Sequence, residues 1–318
     1  MTKKVNRLAD ATIHHQIKLR GQYTRIAKQA VAHLTQLKGL IKAEIDTAST
    51  AKNWTAAAKL RKTLYNLDKL VEGQYSVMSD DLKAELSDLF YYQSEWTTKL
   101  LGADVGYSVL TENTVRALIE NDPFDGKILS EWITEQQLGT QTKIKQAVRV
   151  GVMNGLPAKD IAHALVNDPS SPFVGTKRNA EILVRTASAH VSSQADIRSF
   201  KQAGYESYQL SAVLDTRTTK LCAALDGKVY KMSDPGRKVP PFHPGCRTTM
   251  IAVFDGDEPF GDTYETWLSK QSEASQLKVL GTARYKMWKA GAALESFVDL
   301  DNDNVISLSK LREIDSLS

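Results

Sequence analysis

The 318 residues contain no apolar run of about 18, the length a helix needs to cross a bilayer. The stretch from Met1 to Thr12 mixes Lys3, Lys4, Arg7 and Asp10 instead of passing from a basic patch into an apolar one, so it does not read as a secretory signal. The expected setting is a cytoplasm or a particle assembled there. Two cysteines exclude a disulfide framework and leave one pair whose meaning depends on its neighbours. Nucleophile elbows, phosphate-cradling glycine loops, a His-Glu-x-x-His pattern and paired carboxylates at a recognisable spacing are all missing, which argues against the commoner enzyme classes.

A net charge of +4 is too small to announce nucleic-acid binding, but its distribution is uneven. Residues 1–40 carry Lys3, Lys4, Arg7, Lys18, Arg20, Arg25, Lys28 and Lys38 against the single acid Asp10. Lys3, Lys4, Arg7, Lys18, Arg20, Arg25 and Lys28 are therefore candidate contacts to DNA or to an acidic protein surface, and such binding weakens steeply with salt. Surface helices also carry such charges simply for solubility. His14, His15 and His33 on the same segment can add charge at mildly acidic pH.

The first hundred residues have helical periodicity. Tyr23, Ile26, Ala30, Leu34, Leu37, Ile41 and Ile45 mark one helix. Trp54, Leu60, Leu64, Leu67 and Val71 mark a second that stops near Gly73, and Leu82, Leu86, Leu89, Tyr92, Trp96 and Leu100 a third that ends before Gly102. Shorter helices follow to Val166. Gly155 closes one of them, Pro157 suits the first turn of the next, and Ile161, Ala162 and Leu165 give that helix its apolar face. A DNA-reading helix-turn-helix shares this layout, but no basic recognition face follows, so an ordinary helical hairpin is the expectation.

A loop is expected at Pro169, Ser170, Ser171 and Pro172, then a helix over 177–204. Side chains then alternate through Tyr208, Leu210, Ala212 and Leu214, and two further strands are expected at 228–230 and 248–254. The fold class is α+β: long N-terminal helices followed by a compact C-terminal α+β domain with a small antiparallel sheet. The expected divisions are a helical region over 1–105, shorter helices over 106–170, a core domain over 171–256 and a C-terminal extension over 257–318.

The chemistry-bearing residues fall between Leu214 and Arg247. His243 and Cys246 stand two residues apart on a loop bent by proline and glycine, and an Asp226-Gly227 turn can bring Cys222 opposite them. Such ligands suit zinc better than magnesium or calcium, with Asp215 or a water in the fourth position. A closed site is structural. A water in that position could instead serve hydrolysis, with Asp215 or Asp226 as base. Alternatively, Cys222 and Cys246 are small buried residues under the turn, with His243 hydrogen-bonded to a backbone carbonyl.

The order of these parts is itself informative. Asp215-Thr216-Arg217-Thr218, Cys222, Leu225-Asp226-Gly227-Lys228-Val229 and Pro240-Pro241-Phe242-His243-Pro244-Gly245-Cys246-Arg247 together resemble the signature of the Mu F-like head-morphogenesis family of phage proteins. The leading helix is matched by Leu183-Val184-Arg185-Thr186-Ala187-Ser188, so the similarity covers roughly 158–254. Trp267-Leu268, Gln271, Gln276, Val279-Leu280-Gly281, Arg284 and Gly291 resemble the tail region of many members. One departure is that members often carry another cysteine close after the arginine or after the final Cys-Arg, where this chain has Thr218, Thr219 and Thr248.

The resemblance implies a non-enzymatic minor head (capsid) protein of a tailed phage, present in few copies. It implies head morphogenesis at the portal and procapsid interior, with portal protein, scaffold or major capsid protein as partners, phage DNA as a further one, and a part in packaging or ejection. The expected location is the virion, and the host cytoplasm during assembly. A competing reading is a metal-dependent hydrolase or a transferase-like effector carried in the head. Arg185, His190, Ser188, Ser192 and Ser193 could suggest such an effector, but a helix with one polar face explains them. The run from Asp299 to Ser307 resembles the first half of a calcium loop, yet Lys310 stands where a bidentate Glu is needed, so a polar turn before a helix is expected.

Overall fold

A computed structural model describes residues 2–102, 110–169, 171–254, 260–300 and 302–317, with the side chains of 2–6, 312 and 314–317 outside the description. The chain opens with two long helices, α1 (Thr2–Ser49) and α2 (Ala57–Leu101), then α3 (Glu112–Asn121), α4 (Leu129–Met153), α5 (Ala158–Asn167) and α6 (Pro172–Gln202). Strand β1 (Ser207–Ser211), helix α7 (Lys220–Leu225) and strands β2 (Val229–Lys231) and β3 (Thr249–Val253) follow. Then come α8 (Tyr264–Ser269), α9 (Glu273–Leu280), α10 (Thr282–Lys289), strands β4 (Val298–Asp299) and β5 (Asn304–Val305), and α11 (Leu308–Leu317). The α+β class with long N-terminal helices and small antiparallel sheets is as expected.

Contacts divide the chain into two units, one of residues 20–89 and 110–188, the other of 1–19, 90–109 and 189–318. The first is wholly helical. On α1 the residues Tyr23, Ile26, Ala30, Leu34, Leu37, Ile41 and Ile45 are all buried, as their spacing predicts. On α2 the buried stripe runs through Leu64, Leu67, Val71, Tyr75, Met78, Leu82, Leu86 and Leu89 without a break. The expected second and third helices are therefore one. Gly73 lies exposed inside α2 with open space where a Cβ would stand, and one glycine costs a helix only about 1 kcal/mol, too little to stop forty-five residues of otherwise consistent pattern. Trp54 belongs to the turn before α2, not to the helix.

Polar links tie this helical unit together. The Tyr75 hydroxyl meets Thr140 Oγ1 at 2.9 Å, Lys145 reaches Asp68 at 2.8 Å, and Lys83 reaches Glu120 at 3.0 Å. Helices α4 and α5 form the expected hairpin, turning at Gly155 with φ of 69°, and Pro157 is the N-cap of α5. Gly151 lets α5 come close: a Cβ there would stand 2.6 Å from Ile161 Cγ1.

In the other unit β1 is central, with β2 and β3 antiparallel on either side. Ser207 pairs with Lys231 and Val253, and Ser211 with Thr249. The alternation that marks β1 in the sequence does not leave a wet face. Tyr208 and Leu210 enter one apolar cluster with Phe200, Leu221, Leu225 and Met250. Gln209, also buried, exchanges both amide hydrogen bonds with the Phe260 backbone, satisfying the polar group that burial would otherwise penalise. A second cluster joins Tyr264, Leu268, Val279, Leu280, Leu294, Phe297 and Leu311. The run from Asp299 becomes the β4–β5 hairpin before α11, in keeping with a polar turn, while Asp301 lies outside the described residues.

Helix α6 departs from the reading of a helix with one polar face. Ser188, His190, Ser192, Ser193, Asp196 and Ser199 are all buried. Asp196 accepts hydrogen bonds from Thr97 Oγ1 at 2.6 Å and Gln93 Nε2 at 2.7 Å. With its amide nitrogen so used, Gln93 turns its oxygen to His15 Nε2 at 2.9 Å, and the His15 ring stacks on Trp96 at 3.6 Å. Burial pushes the Asp196 carboxyl up to about 7 against those two hydrogen bonds. Burial also lowers His15, so it takes up a proton less readily than an ordinary histidine.

Candidate metal centre

Backbone chemistry brings the three expected ligands together. Thr219 caps α7, its hydroxyl accepting from the Cys222 N–H at 3.3 Å, which fixes Cys222 on the first turn. On the other side the chain passes through a cis Pro240–Pro241 bond into His243-Pro244-Gly245-Cys246. Proline second and glycine third, with φ of 72° at Gly245 and the Cys246 N–H on the His243 carbonyl at 3.0 Å, are the marks of a type II turn. That turn sets His243 and Cys246 on one side.

Cys222 Sγ lies 3.2 Å from His243 Nε2 and 3.6 Å from Cys246 Sγ, and all three candidate ligand atoms fall within 4.8 Å of one another. Cys222 and Cys246 are buried and His243 is half-buried. His243 Nδ1 faces the Pro244 carbonyl at 3.1 Å. A carbonyl only accepts, so Nδ1 carries the proton and Nε2 presents its lone pair to the thiols, the arrangement that a metal-bound imidazole uses. The carbonyl contact expected of a merely packed histidine is thus present, but it leaves the other nitrogen aimed at two sulfurs. Hydrogen bonding from Cys222 holds the Cys246 thiol well below its ordinary range despite burial, with His243 adding to the effect. The same hydrogen bond, with burial, pushes Cys222 up. Of the two sulfurs, Cys246 is thus the one whose thiolate, the form that metals bind, is favoured.

Asp215, the expected fourth ligand, is placed elsewhere. Both its oxygens are held by Arg247, each at 2.6 Å, and Oδ1 also accepts the Arg217 N–H at 2.9 Å. The bidentate guanidinium holds its carboxyl far below the usual carboxylate range. Asp226 is engaged too: its oxygens accept the Ala212 and Tyr264 N–H groups, each at 2.6 Å, tying the end of β1 to the start of α8, and burial pushes it up to about 6. Gly227, with φ of 79°, sits where a Cβ would meet Thr263 Cγ2 at 2.9 Å, so the Asp-Gly turn needs its glycine.

The residues that sequence reasoning missed are Arg247 as the partner of Asp215, and Thr219 and Thr248 beside the sulfurs. A small cavity of about 40 Å³ adjoins Cys222 and His243, lined also by Thr218, Thr219, Thr248 and Arg217. Thr219 before the α7 segment is a legible N-cap, but nothing in the spacing announces the 32-residue separation of Asp215 and Arg247.

The basic N-terminal candidates lie on α1. Arg7, Lys18, Arg25 and Lys28 are exposed and Arg20 is half-buried, while the side chains of Lys3 and Lys4 lie outside the described residues. Arg25 makes a bidentate pair with Glu85, at 3.0 and 2.7 Å.

A three-stranded sheet closed by a capped short helix and a Cys-His-Cys loop, preceded by long helices, defines a helical protein with a small α+β domain built around a candidate metal centre. Residues 142–251, a segment that contains the whole centre, match the protein family described as phage Mu protein F like protein. No curated protein and no solved structure matches the chain.

Proposed function

We propose that the chain is a structural minor head protein of a tailed phage, acting in head morphogenesis at the portal and the procapsid interior. The observation that carries this reading is the family match over 142–251. Portal protein, scaffold and major capsid protein are the proposed partners, and the virion the proposed location. Co-expression with the portal, scaffold and capsid genes of the same genome tests it. The chain should sediment with procapsid-sized particles and drop out when the portal is omitted, whereas particles that never contain it would refute the assignment.

Within that role the Cys222–His243–Cys246 centre is proposed to hold zinc as a structural ion. The support is the donor set, two sulfurs and an imidazole nitrogen within 4.8 Å, with the His243 tautomer set by Pro244. A bound zinc would cross-link the start of α7 to the loop before β3. Support for a hydrolase is weaker, because the two acids that could act as base are committed, Asp215 to Arg247 and Asp226 to two backbone N–H groups.

Contact with phage DNA is proposed for Arg7, Lys18 and Lys28, which are exposed on α1. Charge reversal of these three residues should abolish a salt-sensitive shift of duplex DNA. Truncation is a poorer test, since residues 1–40 also supply buried Leu8, Leu19, Ile26 and Leu34.

A further inference from the structure

We infer that this centre is open: its fourth position is filled by a small exchangeable non-protein ligand, water or a monodentate anion, seated in the cavity that Thr219 and Thr248 share with Cys222 and His243. The inference rests on the metal-binding reading above and goes beyond it by assigning the ligand that completes the site.

Zinc in a tetrahedral site takes four donors, and the chain brings three. Among the described residues no fourth Cys, His, Asp or Glu places a ligand atom within the cluster. Asp215 cannot turn inward without giving up both of its 2.6 Å bonds to the part-buried Arg247 guanidinium. Thr218, Thr219 and Thr248 line the cavity beside the cluster, and a threonine hydroxyl is a poor zinc ligand but a good partner for a small polar molecule.

The space fits such a molecule. The cavity, at about 40 Å³, has room for a water or a small anion. Thr248 lines it, and its hydroxyl is buried beside the Cys222 sulfur without a hydrogen bond of ordinary geometry. Buried polar atoms are nearly always partnered, so an unpartnered one in the lining of a cavity beside two ligands marks where a ligand would sit. Arg217 and Arg247 both line the cavity and share one carboxylate, Asp215, at 3.6 and 2.6 Å, so this group of side chains carries a net positive charge that favours an anion over a cation as the exchanging partner.

The test is cobalt(II) substitution in the full-length protein, followed by azide titration read from the visible d–d bands. The wild type should bind one cobalt with sulfur-to-cobalt charge-transfer bands, and azide should shift the d–d envelope saturably while those bands persist. Thr248→Val should weaken azide about fivefold, the loss expected for one hydrogen bond of about 1 kcal/mol, and Thr248→Ser should restore it. Bands unmoved by saturating azide would overturn the open site and leave the metal reading intact. A d–d spectrum altered by Asp215→Asn before azide is added would equally overturn it, by making Asp215 the ligand. Failure to bind cobalt at all would overturn both.

Discussion

The helical unit and the segment from Ala212 to Thr248 are ordered by different means. In the former, long helices bury a continuous apolar stripe, and each turn repeats the same interaction, so losing one residue leaves most of the others. In the latter, thirty-odd residues contain one short helix and one three-residue strand, and the chain path is set by a few polar links: Asp226 to two backbone N–H groups, Asp215 to Arg247, and the Cys-His-Cys cluster. Leu221, Leu225 and Met232 enter the sheet's apolar cluster, but around the centre itself the apolar cluster is Ala212, Cys222 and Cys246, with Phe242 packed against them. Redundant burial tolerates local damage, whereas a few specific links do not.

The sharpest way to break this comparison is to remove the metal link. Cys222→Ser or chelation should cost about 4 kcal/mol, the linkage for a ligand present at a thousandfold its Kd, and hydrogen exchange should rise over 212–248 while α1 and α4 stay protected. Equal loss of protection in both regions would erase the distinction.

A second large effect concerns pH. The Asp196 carboxyl is raised from 3.8 to about 7, so its contribution is complete below its unfolded value and is lost as pH rises through 7. Asp196→Asn keeps an acceptor for Thr97 and Gln93. It should leave Tm unchanged at pH 4 and raise it at pH 8, as thermal melts would register; an unchanged Tm at both would contradict the assignment. The Asp215–Arg247 pair behaves oppositely, its stabilisation being present above the ordinary carboxylate range and lost only in strong acid.

Smaller effects sharpen the helical side. Gly151→Ala drives a Cβ into Ile161 and should cost about 1–3 kcal/mol by denaturant melts, with Ile161→Ala recovering part of the loss in the double variant. Gly73→Ala, exposed with open space around it, should stabilise α2 by about 0.5–1 kcal/mol. Destabilisation there would mean that the unbroken helix is wrong.

The same contrast explains what was legible in the sequence. Apolar periodicity reports burial directly, so Ile26 to Ile45, Ile161 to Leu165 and the three strands could be placed from pattern alone. Gly73 misled because a breaker residue was weighed locally while burial on both sides of it acts over the whole helix. Asp196 was invisible, since a buried carboxyl served by Thr97 and Gln93 from another helix looks like any residue of a polar face. At the centre, Cys222, His243 and Cys246 were legible because a Pro-Gly turn and a capped helix are local signals. The pairing of Asp215 with Arg247 was not, because it depends on where two distant loops meet.

The central claim is that Cys222, His243 and Cys246 hold a metal that orders this segment. It is tested most directly by the zinc content of the purified full-length protein, measured by mass spectrometry of the elements. The account predicts one zinc per chain, falling to none in Cys222→Ser and strongly reduced in His243→Ala. A zinc-free wild type with the same Tm before and after chelation would contradict it.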